Sequence, residues 1–110
     1  MTTRELAVAV RKEAGDPVIE LTGDVNASAE RALMDGYAEA TAGGARAVVL
    51  DFAEADYINS TGIALIVGLL AQARTHDVEI KATNLSSHYR EIFEITRLAD
   101  FMTIEGGTDA

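Results

Sequence analysis

Apolar and polar residues alternate at the start of the chain. Leu6, Val8 and Val10 fall on one side and Ala7, Ala9 and Arg11 on the other, the period of two expected of a strand with one covered face. Gly15-Asp16-Pro17 reads as a turn. Val18-Ile19-Glu20-Leu21-Thr22 then forms a second strand, in a hairpin with the first and ended by Gly23-Asp24. The period changes downstream. Ala32, Leu33, Tyr37, Ala40 and Ala42 recur at helical spacing. Asn26 or Ser28 offers an N-cap and Gly43-Gly44 a stop. Ala47-Val48-Val49-Leu50-Asp51-Phe52 is almost continuously apolar, the pattern of a central strand covered on both faces or nearly so.

No residue from Tyr57 to Ala73 is charged. Its length, alanines and leucines predict a buried helix starting near Thr61, with Ile63, Ile66, Val67 and Leu70 turned inward. Val78-Glu79-Ile80-Lys81-Ala82 alternates as a fourth strand. Asn84 to Ser87 supplies caps for a third helix whose apolar face holds Tyr89, Ile92, Phe93 and Thr96. Phe101-Met102-Thr103-Ile104 closes the pattern as a short strand, and Glu105 to Ala110 is a polar tail. The order β-β-α-β-α-β-α-β implies one α/β domain over residues 1–110. Its sheet is mixed, with four to five strands and helices mainly on one face, because parallel crossovers are right-handed.

Composition narrows the function more than the fold. The net charge is -9, so phosphate backbones and anionic lipid are repelled and a basic protein surface is the better-matched partner. Cysteine is absent, which removes thiolate catalysis and thiolate metal sites. The polar start Met1-Thr2-Thr3-Arg4-Glu5 has no signal-peptide core. The longest apolar run, Ile63 to Ala71, has nine residues, against about 20 for a membrane span. A soluble, cytoplasmic protein is expected.

Catalytic chemistry finds little support. His76 and His88 lack a second ligand at metal spacing, and structural or surface roles are expected of both. Asp51, Glu54 and Asp56 fall in what reads as a strand-to-helix loop, where acids are ordinarily solvated. No base is paired with a nucleophile, so no enzyme, cofactor or metal is expected. One constellation stands apart: Asn59-Ser60-Thr61-Gly62, two adjacent hydroxyls at the start of an uncharged helix. Free backbone N–H groups and the helix dipole make that end receptive to phosphate. Equally, Asn59 or Ser60 can serve simply as the N-cap.

These segments together resemble the STAS family, the anti-sigma-factor antagonists of bacteria. Leu21-Thr22-Gly23-Asp24-Val25-Asn26 is similar to the family's second-strand signature, Val48-Val49-Leu50-Asp51-Phe52 to its central strand, Tyr57-Ile58-Asn59-Ser60-Thr61-Gly62-Ile63 to its phosphorylation loop, and Leu98-Ala99-Asp100-Phe101 to its ending. The resemblance implies a binding switch whose modified hydroxyl is Ser60, with Thr61 as the alternative. It implies a partner surface of Asp24, Asn26, Asn59, Ser60, Thr61 and Gly62. The implied partners are an anti-sigma factor that is also a serine kinase, and a phosphatase that resets the switch; a monomer or weak dimer is expected. Asn59 and Asn26 stand where the family usually carries aspartate. Two other readings use the same residues: a STAS scaffold or sensor module without phosphorylation, and a domain binding a small ligand or nucleotide at the helix N-terminus.

Overall fold

The computed structural model describes residues 4–12 and 15–105. The polar N-terminal residues 1–3 and most of the polar tail, 106–110, lie outside them. The elements run β1 (Ala7–Arg11), β2 (Val18–Val25), a 3-10 turn (Ala27–Ala29), α1 (Glu30–Thr41), β3 (Ala47–Ile58), α2 (Ser60–Thr75), β4 (Glu79–Thr83), α3 (Ser87–Ile95), a second 3-10 turn (Leu98–Phe101) and β5 (Thr103–Glu105). The expected order holds. The strands form one sheet in the order β1-β2-β3-β4-β5. β1 pairs antiparallel with β2, while β2, β3, β4 and β5 pair in parallel. Each parallel crossover advances one place in the same direction, so right-handed connections put all three helices on one face.

That face carries the core. Ile19, Leu21 and Val25 of β2, Val48, Leu50 and Phe52 of β3, and Ile80 and Ala82 of β4 are buried. They pack with Leu33 and Tyr37 of α1, Ile66, Leu69 and Leu70 of α2, and Phe93 of α3. The opposite face stays open, so β3 is covered on one side rather than two: Ala47, Val49 and Asp51 remain partly exposed between buried neighbours. A strand at the centre of a sheet can be apolar on both sides when its open face is only partly wetted.

The two strands that lead to the candidate site are longer than expected. β2 does not end at Gly23-Asp24. Gly23 takes a φ of 110°, which only glycine adopts without strain, and the strand continues through register shifts to Val25. β3 likewise runs past Phe52 to Ile58. Asp51, Glu54 and Asp56 therefore lie on a strand, not in a loop. β4 pairs only with Ala47–Asp51, so beyond that point β3 has β2 alone as neighbour, and Ala53, Glu54, Asp56 and Tyr57 are exposed. Asp51 accepts from the Ala53 N–H and from the Asn84 side chain, both at 2.9 Å, and Asp56 pairs with Arg4 at 2.6 Å.

In α2 the inward face differs in phase. Ile66 and Leu70 are buried and Ile63 is partly so. Val67, expected inside, is 45% exposed, and Leu69 is fully buried. An all-apolar helix gives no polar stripe from which to read its rotation. In α3, Phe93 is buried, but Thr96 is exposed and its hydroxyl turns back to the Ile92 carbonyl. Ala42 lies beyond α1 and is exposed. Phe101 ends the second 3-10 turn, 54% exposed, rather than opening a strand. His76 sits at the end of α2 and His88 in the first turn of α3.

Candidate functional site

The carboxyl ends of β2 and β3 bring the constellation together. Asp24 pairs with Tyr57 and Val25 with Ile58. One residue later, the Asn59 N–H donates to the Val25 carbonyl at 3.2 Å. The chain then turns directly into α2. Asn59 has the extended backbone of an N-cap, and its Oδ1 accepts from the Gly62 N–H at 2.8 Å. Its carbonyl accepts from Ile63 at 2.9 Å. The amides of Ser60 and Thr61 are left without intrahelical acceptors, as first-turn amides are.

The cap thus falls to Asn59 and not to Ser60. Ser60 is the first residue of the 16-residue helix. It is exposed, and its hydroxyl has no hydrogen-bond partner among the described residues. Thr61 is exposed beside it. Gly62 is buried, and a Cβ there would stand 2.0 Å from the Val25 carbonyl oxygen. Only glycine lets α2 approach the end of β2 this closely. Gly62 accordingly sets the position of the hydroxyls and presents no side chain of its own.

Asp24 and Asn26 lie at the same end of the sheet, both partly exposed. Asp24 accepts from the Arg4 N–H at 3.2 Å, and its own N–H donates to the Arg4 carbonyl at 2.9 Å. Asn26 caps the first 3-10 turn, accepting from the Ser28 N–H at 3.0 Å and the Ser28 hydroxyl at 2.7 Å. Both asparagines therefore do a task an aspartate side chain also performs, without its charge.

Two contributors escaped the sequence reading. The Tyr89 hydroxyl accepts from the Ile58 N–H at 2.9 Å, so α3 fixes the last residue of β3 before the site. Tyr57, paired with Asp24, is 59% exposed. It adds an aromatic ring between Asp24 and the uncharged start of α2. From Ser60 the exposed residues Thr61, Ala64, Val67, Gly68 and Ala71 continue along α2. The uncharged stretch is the signal that points to them. Among the described residues no helix is long and apolar enough to cross a membrane. No group of three or more His, Asp or Glu side chains there is placed to hold a metal.

Comparison with known proteins agrees with this architecture. The anti-sigma-B factor antagonist of Staphylococcus aureus is 33% identical over 66 residues, which cover 60% of this chain and 61% of the relative. BtrV of Bordetella bronchiseptica, provisionally an anti-sigma factor antagonist, is 31% identical over 90 residues, covering 82% of this chain and 78% of BtrV. The structure of the Bacillus cell fate determinant SpoIIAA in its phosphorylated form superposes with a TM-score of 0.67, covering 91% of this chain and 92% of that one at 20% identity. Residues 8–104 match the family model described as Mlab, STAS domain. With that match over almost the whole described fold, the chain belongs to the STAS domain family.

Proposed function

We propose that this STAS domain is an anti-sigma factor antagonist that binds its anti-sigma factor through the carboxyl end of β2 and β3 and the exposed side of α2, and that phosphate on Ser60 switches the binding off. The observation that carries the reading is the exposed, unbonded Ser60 hydroxyl at the first position of α2, beside an uncharged surface on an otherwise acidic chain. The names of the relatives from S. aureus and B. bronchiseptica support the antagonist role, and the phosphorylated state named for SpoIIAA supports the modification. The anti-sigma factor is itself the serine kinase, a phosphatase reverses it, and the exchange takes place in the cytoplasm between proteins without nucleic acid or membrane. The domain acts by binding and performs no chemistry of its own.

Physics favours a change of surface over a change of fold. A phosphate on Ser60 adds nearly two negative charges next to the positive end of the α2 dipole and the free amides of its first turn, so the helix tolerates it. A partner carboxylate about 6 Å away, at an effective dielectric near 40, is repelled by about 3 kcal/mol, roughly a hundredfold in affinity. Near-complete reversal of a two-state balance takes about 5.5 kcal/mol, so steric blocking and phosphate desolvation supply the rest. Asn59 and Asn26 leave the surroundings of Ser60 less negative than two aspartates would.

Phosphopeptide mapping after incubation with the cognate kinase tests the assignment. Phosphate on Ser60 is expected, with Thr61 unmodified. Binding of the partner with no phosphate on either hydroxyl would leave a scaffold module in place of a switch. Chemical-shift changes around Ser60 on adding nucleotide would favour a ligand-binding domain.

A further inference from the structure

A second feature lies at the far end of α2 from Ser60. Val67, Leu70, Ala71 and Arg74 of α2 and Thr96, Arg97, Leu98 and Phe101 line a half-open, mainly apolar cavity of about 350 Å3. That is within the range of small-molecule sites, about 300–1,000 Å3. Val67 and Phe101, two of the large exposed hydrophobic residues, form its rim. The charge of the lining runs against that of the molecule. The chain has 18 acidic residues against 9 basic ones, yet the lining holds two arginines and no acid.

The two arginines are held differently. Arg74 lies over the Phe101 ring, 5.5 Å from its centroid, and has no carboxylate at ion-pairing distance among the described residues. Arg97 donates from Nε to Asp100 at 2.7 Å, which engages one of its five N–H donors. Arg97 also adopts a φ of 69° just after the end of α3, the left-handed position that glycine ordinarily fills. A long cationic side chain is kept where glycine would be unstrained. The carboxyl ends of α2 and α3 reach this region, and their dipoles alone would favour cations; the two guanidinium groups, one of them paired with Asp100, offset that preference, and Arg74 is the one without a carboxylate partner among the described residues.

We infer that this cavity binds a small organic anion with an apolar body, its chain or ring between Val67, Leu98 and Phe101 and its carboxylate at Arg74 and Arg97. An apolar lining gives affinity without selecting charge; the arginines select the anion. The cavity lies away from Ser60 but shares Val67 and Ala71 with the exposed side of α2 assigned to the partner above; its ligand is tested on the isolated chain, without that partner.

The test is titration of the isotope-labelled full chain with octanoate, octanol and octyltrimethylammonium, followed by amide chemical shifts. Octanoate is expected to saturate, to shift residues 67–74 and 96–102, and to bind at least about fivefold more tightly than the alcohol or the cation. Arg74→Gln and Arg97→Gly should each remove most of that preference while leaving octanol affinity within about twofold. Arg97→Gly relieves a left-handed side chain and so keeps the fold. Equal binding of all three probes, octanoate binding unchanged by Arg74→Gln, shifts centred elsewhere, or no saturable octanoate binding would each overturn the inference.

Discussion

Single residues at the start of α2 divide the work. Asn59 caps, Gly62 permits the close approach, and Ser60 is left free. Asn59→Ala removes the bond to the Gly62 N–H and should cost about 1 kcal/mol in urea unfolding. Asn59→Asp keeps the acceptor and adds a negative charge at the positive end of the dipole. It should raise stability by about 0.3–1 kcal/mol at low ionic strength, a gain that salt reduces. Gly62→Ala puts a methyl group into the Val25 carbonyl and should cost about 1–3 kcal/mol or more; an unchanged midpoint would mean that β2 and α2 can separate freely. Away from the site, burial raises the Tyr37 hydroxyl above its ordinary pKa of 10.0. The unfolded chain then loses this proton at lower pH than the folded one. The stability this contributes is fully present below about pH 10 and falls as the pH rises past it. Lys81, raised by its hydrogen bond to Asp16, adds to the loss in the same direction. Tyr37→Phe should therefore reduce the alkaline slope without abolishing it. At neutral pH it should cost about 0.5–1.5 kcal/mol, because the hydroxyl lies 3.3 Å from His76 Nδ1.

At the scale of elements, what could be read from the sequence depended on contrast. β1, β4 and the core of β2 alternate cleanly and were legible. α2 was legible as a helix but not in its rotation, since Val67 and Leu69 are both apolar and only packing separates them. The outer half of β3 was hidden because Glu54, Asp56 and Tyr57 look like a loop, and their strand exists through pairing with β2 rather than through burial. The gathering of Asp24, Asn26, Asn59 and Ser60 was legible from motif order. The bond from Ile58 to Tyr89, a contact 31 residues apart, leaves no local trace. The rotation of α2 gives a direct check. Ile66→Ala should cost about 2–5 kcal/mol, whereas Val67→Ala should cost less than about 1 kcal/mol, as substitutions at exposed sites do. Comparable losses at both positions would mean the helix is turned differently. The same geometry decides how to probe the surface. Leu69→Arg would bury a charge and unfold the domain, so Ala64→Arg, at an exposed position on the same helix, is the variant that tests the interface. It should keep the wild-type unfolding midpoint and abolish partner binding.

For the whole molecule, the arrangement separates stability from signalling. One face of the sheet and three helices hold the core, and the carboxyl end of β2 and β3 holds the proposed site, so on this proposal a charge added at Ser60 would alter what a partner meets without touching what keeps the domain folded. On the proposed reading, the net charge of -9 suits a partner with a basic surface around the contact patch. The most direct measurement is a calorimetric titration of the purified cognate anti-sigma factor with the wild-type domain, Ser60→Ala and Ser60→Asp, alongside thermal unfolding of each. Ser60→Ala should bind like the unmodified wild type and escape inactivation by the kinase. Ser60→Asp should unfold at the same temperature and bind about tenfold more weakly, since a single carboxylate carries about half the charge of a phosphate. Undiminished binding by Ser60→Asp would contradict the account.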